Sequence, residues 1–164
     1  MNEIYLLSGL GADKRVFEFV DFSGFKVKHI NWIEPLGNEA IEDYARRLLT
    51  QINDPCPVLI GVSFGGIIGI ELGKLIDTEK IILISSAKTR LDIPFYFRWI
   101  GRLNINRLIP SVFLTKVNAL AFWLFGVETR GEKELLRGII IDTNIKFLRW
   151  AVDKIVNWQN ETLV

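Results

Sequence analysis

Two stretches, "PVLIGV" (residues 57–62) and "KIILISS" (80–86), are apolar without alternation and rich in Val and Ile, and they constrain the fold most. A strand that is apolar on both faces must be covered on both, and a parallel sheet between helical layers does this. "EIYLLSG" and "FKVKHINWI" precede them as two further β-prone runs. In "NEAIEDYARRLLTQIND", Ile41, Tyr44, Ala45, Leu48, Leu49 and Ile52 recur at helical spacing, with Asn38 placed to cap the start and Pro55 beyond the end. "FGGIIGIELGKLI" reads as a second helix in which Gly65, Gly69 and Gly73 form one small-residue stripe suited to close approach to the sheet. The order predicts βαβαβαβ, which right-handed crossovers wind into an open, mainly parallel, doubly wound α/β sheet.

Beyond about Thr89 the character changes to helical periodicity with dense aromatics, predicting a core over residues 1–90 and a helical cap over 91–164. The length of 164 residues, with 49% hydrophobic and 24% charged residues, suits one globular chain with a real core. A net charge of +1 gives no basic face for nucleic acid. A single cysteine, Cys56, and the absence of a basic-then-apolar leader at Met1 to Tyr5 point to the cytoplasm. The longest apolar stretch is interrupted by Ser63, Glu71 and glycines, so no membrane association is expected.

"GVSFGG" places Ser63 between a strand and a glycine-rich helix in the pattern GxSxG, the sharp turn that exposes a nucleophilic serine. The helix beginning at Phe64 turns its N-terminal N–H groups toward that turn, where they favour the oxyanion formed on attack at a carbonyl. "LLSGLGADKRVF" ends the first strand. If the first and third strands are neighbours, Ser8 to Gly11 lies beside Ser63, Gly9 and Gly11 allow close backbone approach, and the N–H of Leu10 joins that of Phe64 in an oxyanion hole. The bland reading of the serine is a small residue in a tight turn, with its glycines serving packing alone.

On these two motifs the sequence resembles the α/β-hydrolases, in particular small esterase-like members. "SGLGAD" is similar to the family's HGxG oxyanion loop with Ser8 in place of histidine, and "GVSFGG" to its nucleophile elbow. The resemblance implies a serine hydrolase for a carboxylic ester, thioester or other small acyl substrate, with a cap after "KIILISS", and no organic cofactor or metal. It also implies an acid and then a histidine after later strands. No histidine follows Ser63: His29, in the second strand, is the only one. Asp92, just past the fourth strand, reads as a cap-initiating or solvated aspartate. The expectation is therefore the front portion of a hydrolase, ending before the strands that bear the acid and histidine, and inactive as these 164 residues. Its strand "KIILISS" would then be an open edge that invites self-association.

Two other classes compete. Gly9 and Gly11 after the first strand, with Glu34 ending the second, partly match a dinucleotide fingerprint, but Lys14 occupies the third glycine position. A non-catalytic binding module is the other reading. Trp99, Trp123, Trp150 and Trp158 in the cap region suit either the walls of an apolar pocket or ordinary helix packing. Arg98, Arg102 and Arg107 beside these aromatics fit a solvated cap face.

Overall fold

A computed structural model of the chain describes residues 3–10, 12–102, 129–131, 134, 138 and 144–161. Four strands, β1 (Ile4–Leu7), β2 (Val27–His29), β3 (Val58–Val62) and β4 (Lys80–Ile84), form a sheet in the order β2-β1-β3-β4. Every pairing is parallel, with Ile4 opposite both Val27 and Val58, and Val58 opposite Lys80. The first and third strands are thus neighbours, and the chain reverses its winding direction between them, the place where a doubly wound sheet opens a crevice above its carboxyl ends.

Strand alternation explains the continuous apolar runs. Tyr5, Leu7 and Leu59 point into the main core with helices α1 (Ile41–Leu48) and α2 (Phe64–Gly73), whereas Ile4, Leu6 and Ile60 face a smaller cluster around Phe17. α1 buries Ile41, Tyr44, Ala45 and Leu48, the expected stripe. α2 is buried from Phe64 to Leu72, which suits a helix apolar all round. On β4, Ile82 and Ile84 point away from the main core and are 38% and 43% exposed, on a strand that is the edge of the described sheet.

Some sequence expectations shift. Between β1 and β2 the described chain forms only a 3-10 turn, Lys14–Phe17, too short to serve as a crossover helix. Asn38 does not cap α1: the helix starts after Ala40, and the Asn38 side chain accepts from Lys154 at 3.1 Å instead. The glycine stripe of α2 is not uniform either. A Cβ on Gly65 would lie 2.3 Å from the Leu7 carbonyl oxygen, whereas one on Gly69 would meet only Ile81 at 3.7 Å. Of these two, only Gly65, in the first turn, is held against backbone.

From the cap region the described residues include α3 (Phe95–Arg102) and α4 (Ile145–Asn157), which pack on each other. α4 also enters the main core: Phe147 and Trp150 pack against Tyr44 and Phe64, with ring centroids 4.4–6.3 Å apart. Trp150 and Trp158 are therefore packing residues, and their indole N–H groups donate to the Glu39 carbonyl and the Glu71 carboxylate. Trp99 is 56% exposed, with the Arg102 guanidinium 5.8 Å from its ring centroid. Trp123, Arg107 and Gly11 lie outside the described residues. Among the described residues no helix is long and apolar enough to cross a membrane.

At the amino end of the sheet, Glu3 receives the Tyr5 hydroxyl at 2.6 Å and forms ion pairs with Lys26 and Lys28. Lys26, then Lys28, then the Tyr5 hydroxyl bring its pKa down from 4.5 to about 2. A carboxylate depressed on folding contributes stability above its unfolded pKa and loses it as pH falls through the folded value. Glu3→Gln is therefore expected to be less stable at neutral pH and to show a shallower loss between about pH 4.5 and about pH 2. Urea midpoints measured across that range check this. Equal slopes in both proteins would place the acid sensitivity in the other depressed carboxylates, Asp13, Asp21, Asp54 and Asp92.

Candidate active site

Ser63 stands between the last residue of β3 and the first of α2, with φ 50° and ψ −118°. Positive φ in a non-glycine residue costs on the order of 1–3 kcal/mol and persists only where the surroundings hold it. Here both backbone polar groups of Ser63 are engaged. Its N–H donates to the Ile84 carbonyl at 2.9 Å, and its carbonyl accepts from the Gly66 N–H at 2.9 Å and the Ser86 hydroxyl at 2.6 Å.

The flanking glycines have a steric reason. A Cβ on Gly61 would fall 2.5 Å from the backbone of Gly65, and one on Gly65 would fall 2.3 and 2.4 Å from the carbonyl oxygens of Leu7 and Ser8. Strand, turn and helix therefore approach at backbone distance, which a side chain at either position forbids. The same closeness draws in the loop after β1: a Cβ on Gly9 would sit 3.5 Å from the Ser63 Cβ. Among the described residues the N–H groups of Leu10 and Phe64 make no hydrogen bond, and that of Phe64 is one of the first-turn donors a helix leaves unpaired.

A cavity of about 240 Å³ opens at Ser63, lined on its apolar side by Phe64, Ile67, Ala87, Ile93, Pro94 and Ile155. Ser85, Ser86 and Asp92 also reach it. The Asp92 carboxylate is committed to its own loop, accepting the N–H groups of Thr89 at 2.7 Å and Lys88 at 3.0 Å. Those bonds, that from Thr89 foremost, hold its pKa below the usual carboxylate range.

His29 is not in this site. It ends β2, and β1 lies between β2 and β3, so two strand spacings of about 4.8 Å each separate it from the turn. It is exposed and tilted against Phe17 at 5.9 Å, rather than covered by a helix. The dinucleotide pattern also lacks its context. The loop after β1 leads into the 3-10 turn and not into an α-helix whose N-terminus would receive a pyrophosphate, and Glu34 pairs with Lys146 at 3.6 Å. Sequence reading missed Ser86, which steadies the turn, and Trp32, which packs 5.5 Å from Phe64. The serines directly after "KIILI" were the available signal for the first; nothing in the local pattern marked the second.

No family model matches the sequence, and no curated protein matches it. Solved structures do match. A hydrolase from Pseudomonas aeruginosa aligns with TM-score 0.67 and 15% identity, over 95% of this chain and 64% of that one. A carboxylesterase from Nitrososphaera gargenis aligns at TM-score 0.63 and 18% identity, over 94% and 64%. The chain has the α/β-hydrolase fold. The bottromycin epimerase BotH shares the architecture at TM-score 0.63 and 13% identity, over 95% and 65%, so this α/β-hydrolase fold houses more than one chemistry. The chain spans 64% or 65% of the length of these neighbours.

Proposed function

We propose that this chain carries the nucleophile and oxyanion elements of an esterase-type serine hydrolase. Ser63 attacks a carboxylic ester or related acyl carbonyl, and the N–H groups of Phe64 and Leu10 receive the oxyanion. The observation that carries the reading is the strained φ of Ser63, held by hydrogen bonds to both its backbone N–H and its carbonyl, at the mouth of a cavity. Strain held so firmly on a small polar residue is hard to account for as a turn alone. An apolar cavity of roughly 150 Å³ holds a benzene ring, so the larger space beside Ser63 suits a short or single-ring acyl group.

The only histidine lies two strands away from Ser63, so these 164 residues by themselves offer no imidazole to take the serine proton. Lack of a triad member leaves about 10³- to 10⁴-fold catalysis over water, and turnover by this chain is expected to be close to absent. A fluorophosphonate probe, read by mass spectrometry of peptides, tests the proposal. Slow modification of Ser63 in the folded chain, absent after denaturation and absent in Ser63→Ala, is the expected result. Labelling spread over other serines would overturn the nucleophile assignment. Rapid multiple turnover of an activated ester, abolished by Ser63→Ala, would overturn the expected inactivity. The placement of His29 also favours a second reading, a binding module without chemistry. Retention of a small acyl ligand with no labelling of Ser63 would select it.

A further inference from the structure

Ser63 and Ser85 are the two non-glycine residues with positive φ among the described residues, at 50° and 46°. Ser85 follows β4 directly, as Ser63 follows β3, and both line the same cavity. A left-handed serine is uncommon and persists where its surroundings hold it. The residues on either side of Ser85 both grip Ser63. Ile84 accepts the Ser63 N–H at its carbonyl, at 2.9 Å, and the Ser86 hydroxyl donates to the Ser63 carbonyl at 2.6 Å.

These two bonds act on the two peptide units that meet at the Ser63 Cα. Peptide units are planar, so holding the N–H of one and the carbonyl of the next fixes both rotations between them, here at φ 50° and ψ −118°. The other donors to that carbonyl, the N–H groups of Gly66 at 2.9 Å and Ile67 at 3.4 Å, belong to α2 itself. They tie Ser63 to its own helix, whereas Ser86 ties it to the end of β4. Gly66 makes room for this. A Cβ there would lie 2.3 Å from Ser86 Oγ and 2.6 Å from Ser86 Cβ, so Ser86 occupies the space that a side chain at position 66 would need. The second glycine of "SFGG" thus has a reason that the pattern GxSxG, which ends at Gly65, does not contain.

We propose that Ser86 is a positioning residue for the nucleophile. Its hydroxyl holds the peptide unit between Ser63 and Phe64 against the end of β4, and so sets the direction in which the Cα–Cβ bond of Ser63 leaves the turn. The proposal rests on the reading of Ser63 as the nucleophile. Ser86 acts through the backbone of Ser63 and not on the reacting atoms, so its loss should show in the rate of attack more than in stability. A misplacement of about 1 Å at a reacting group costs on the order of 10²-fold in rate. Ser85 and Ala87 also line the cavity, so the stretch 85–87 both shapes the space for the acyl group and sets the serine beside it.

The test uses the full chain. Ser63–Phe64 is the only serine–phenylalanine step in the sequence, so carbon-13 at the serine carbonyls and nitrogen-15 at the phenylalanine amides give a single coupled signal from the held peptide unit. In Ser86→Ala this signal should shift, and the rate of fluorophosphonate labelling at Ser63 should fall roughly tenfold or more, with the urea midpoint little changed. Glu3→Gln, a less stable variant at the opposite end of the sheet, should keep the parent's signal and labelling rate, which separates loss of position from loss of stability. An unmoved signal in Ser86→Ala would show that the hydroxyl does not hold the peptide unit. A moved signal with labelling at the parent's rate, or an equal slowing in Glu3→Gln, would leave Ser86 a structural residue alone. Each of these overturns the proposal. A parent chain that takes no label at Ser63 would instead overturn the nucleophile reading, and the positioning role with it.

Discussion

Gly65→Ala is expected to destabilise the chain by about 3 kcal/mol or more, while Gly69→Ala, one helical turn further along, should stabilise it by about 0.5–1 kcal/mol. Both are glycines of α2, and both gain helix propensity on substitution. They differ in what the new methyl meets. At position 65 it meets the carbonyl oxygens of Leu7 and Ser8 at 2.3 and 2.4 Å. Those atoms belong to the end of β1, which is hydrogen-bonded between β2 and β3 and cannot withdraw. At position 69 the methyl meets one side-chain carbon of Ile81 at an ordinary 3.7 Å. Relief of the clash at position 65 must lift α2 from the sheet, carrying Ser63 away from Gly9, so labelling of Ser63 should fall together with stability. Urea unfolding of the three proteins, followed by tryptophan fluorescence, checks this. A Gly65→Ala protein as stable as its parent would show that helix and strand do not approach as described.

Loss of the Glu71 carboxylate is the second large expected effect. Glu71 is 1% exposed, in the last turn of an otherwise apolar helix. Its Oε1 accepts from the Trp158 indole N–H at 2.7 Å and pairs with Lys74 Nζ at 2.7 Å. This bond ties the segment after α4 to α2. The same segment is fastened to the loop after β4, where the Arg90 N–H donates to the Asn160 carbonyl at 2.8 Å and the Asn160 amide donates to the Lys88 carbonyl at 2.9 Å. Glu71→Ala leaves a buried indole N–H without an acceptor and a space where the side chain was, at an expected cost of about 2–4 kcal/mol. Glu71→Gln keeps an acceptor for Trp158 and gives up only the ion pair to Lys74, which is partly exposed, so its expected cost is about 1 kcal/mol or less. Thermal and urea unfolding of both variants separate the two contributions. Equal losses would mean that charge, rather than the hydrogen bond to Trp158, makes this contact matter. Because Ile155 lines the cavity at Ser63, Glu71→Ala should also slow labelling of the serine.

The strands, the two helices of the core and the turn at Ser63 were legible because each rests on local pattern. Continuous Val and Ile runs require a covered sheet, a 3.6-residue stripe requires one buried helix face, and Gly61 and Gly65 around Ser63 require a backbone contact. The neighbouring of β1 and β3 was reachable as a condition, since it alone brings "SGLGAD" beside "GVSFGG". Asn38 misled because a capping residue is recognised by type, while the first helical residue is set by where Ile41 must enter the core. The tryptophans stayed open between two readings, because density of aromatics along the chain does not tell a pocket wall from a core residue; Trp150 and Trp158 are core residues, and Trp99 is exposed.

The sequence by itself determined the parallel α/β class, the strand-turn-helix around Ser63 and the absence of a second histidine, since each is a matter of composition or short-range order. The tertiary structure alone decided that Ser86 steadies the Ser63 carbonyl, that Glu71 anchors Trp158, and that Trp32 keeps a buried N–H without an acceptor. Those contacts join residues 23 and 87 positions apart, or depend on what the packed core leaves unfilled. Hydrogen bonds and cavities of that kind depend on where distant segments meet, and no local pattern of side chains encodes that meeting point.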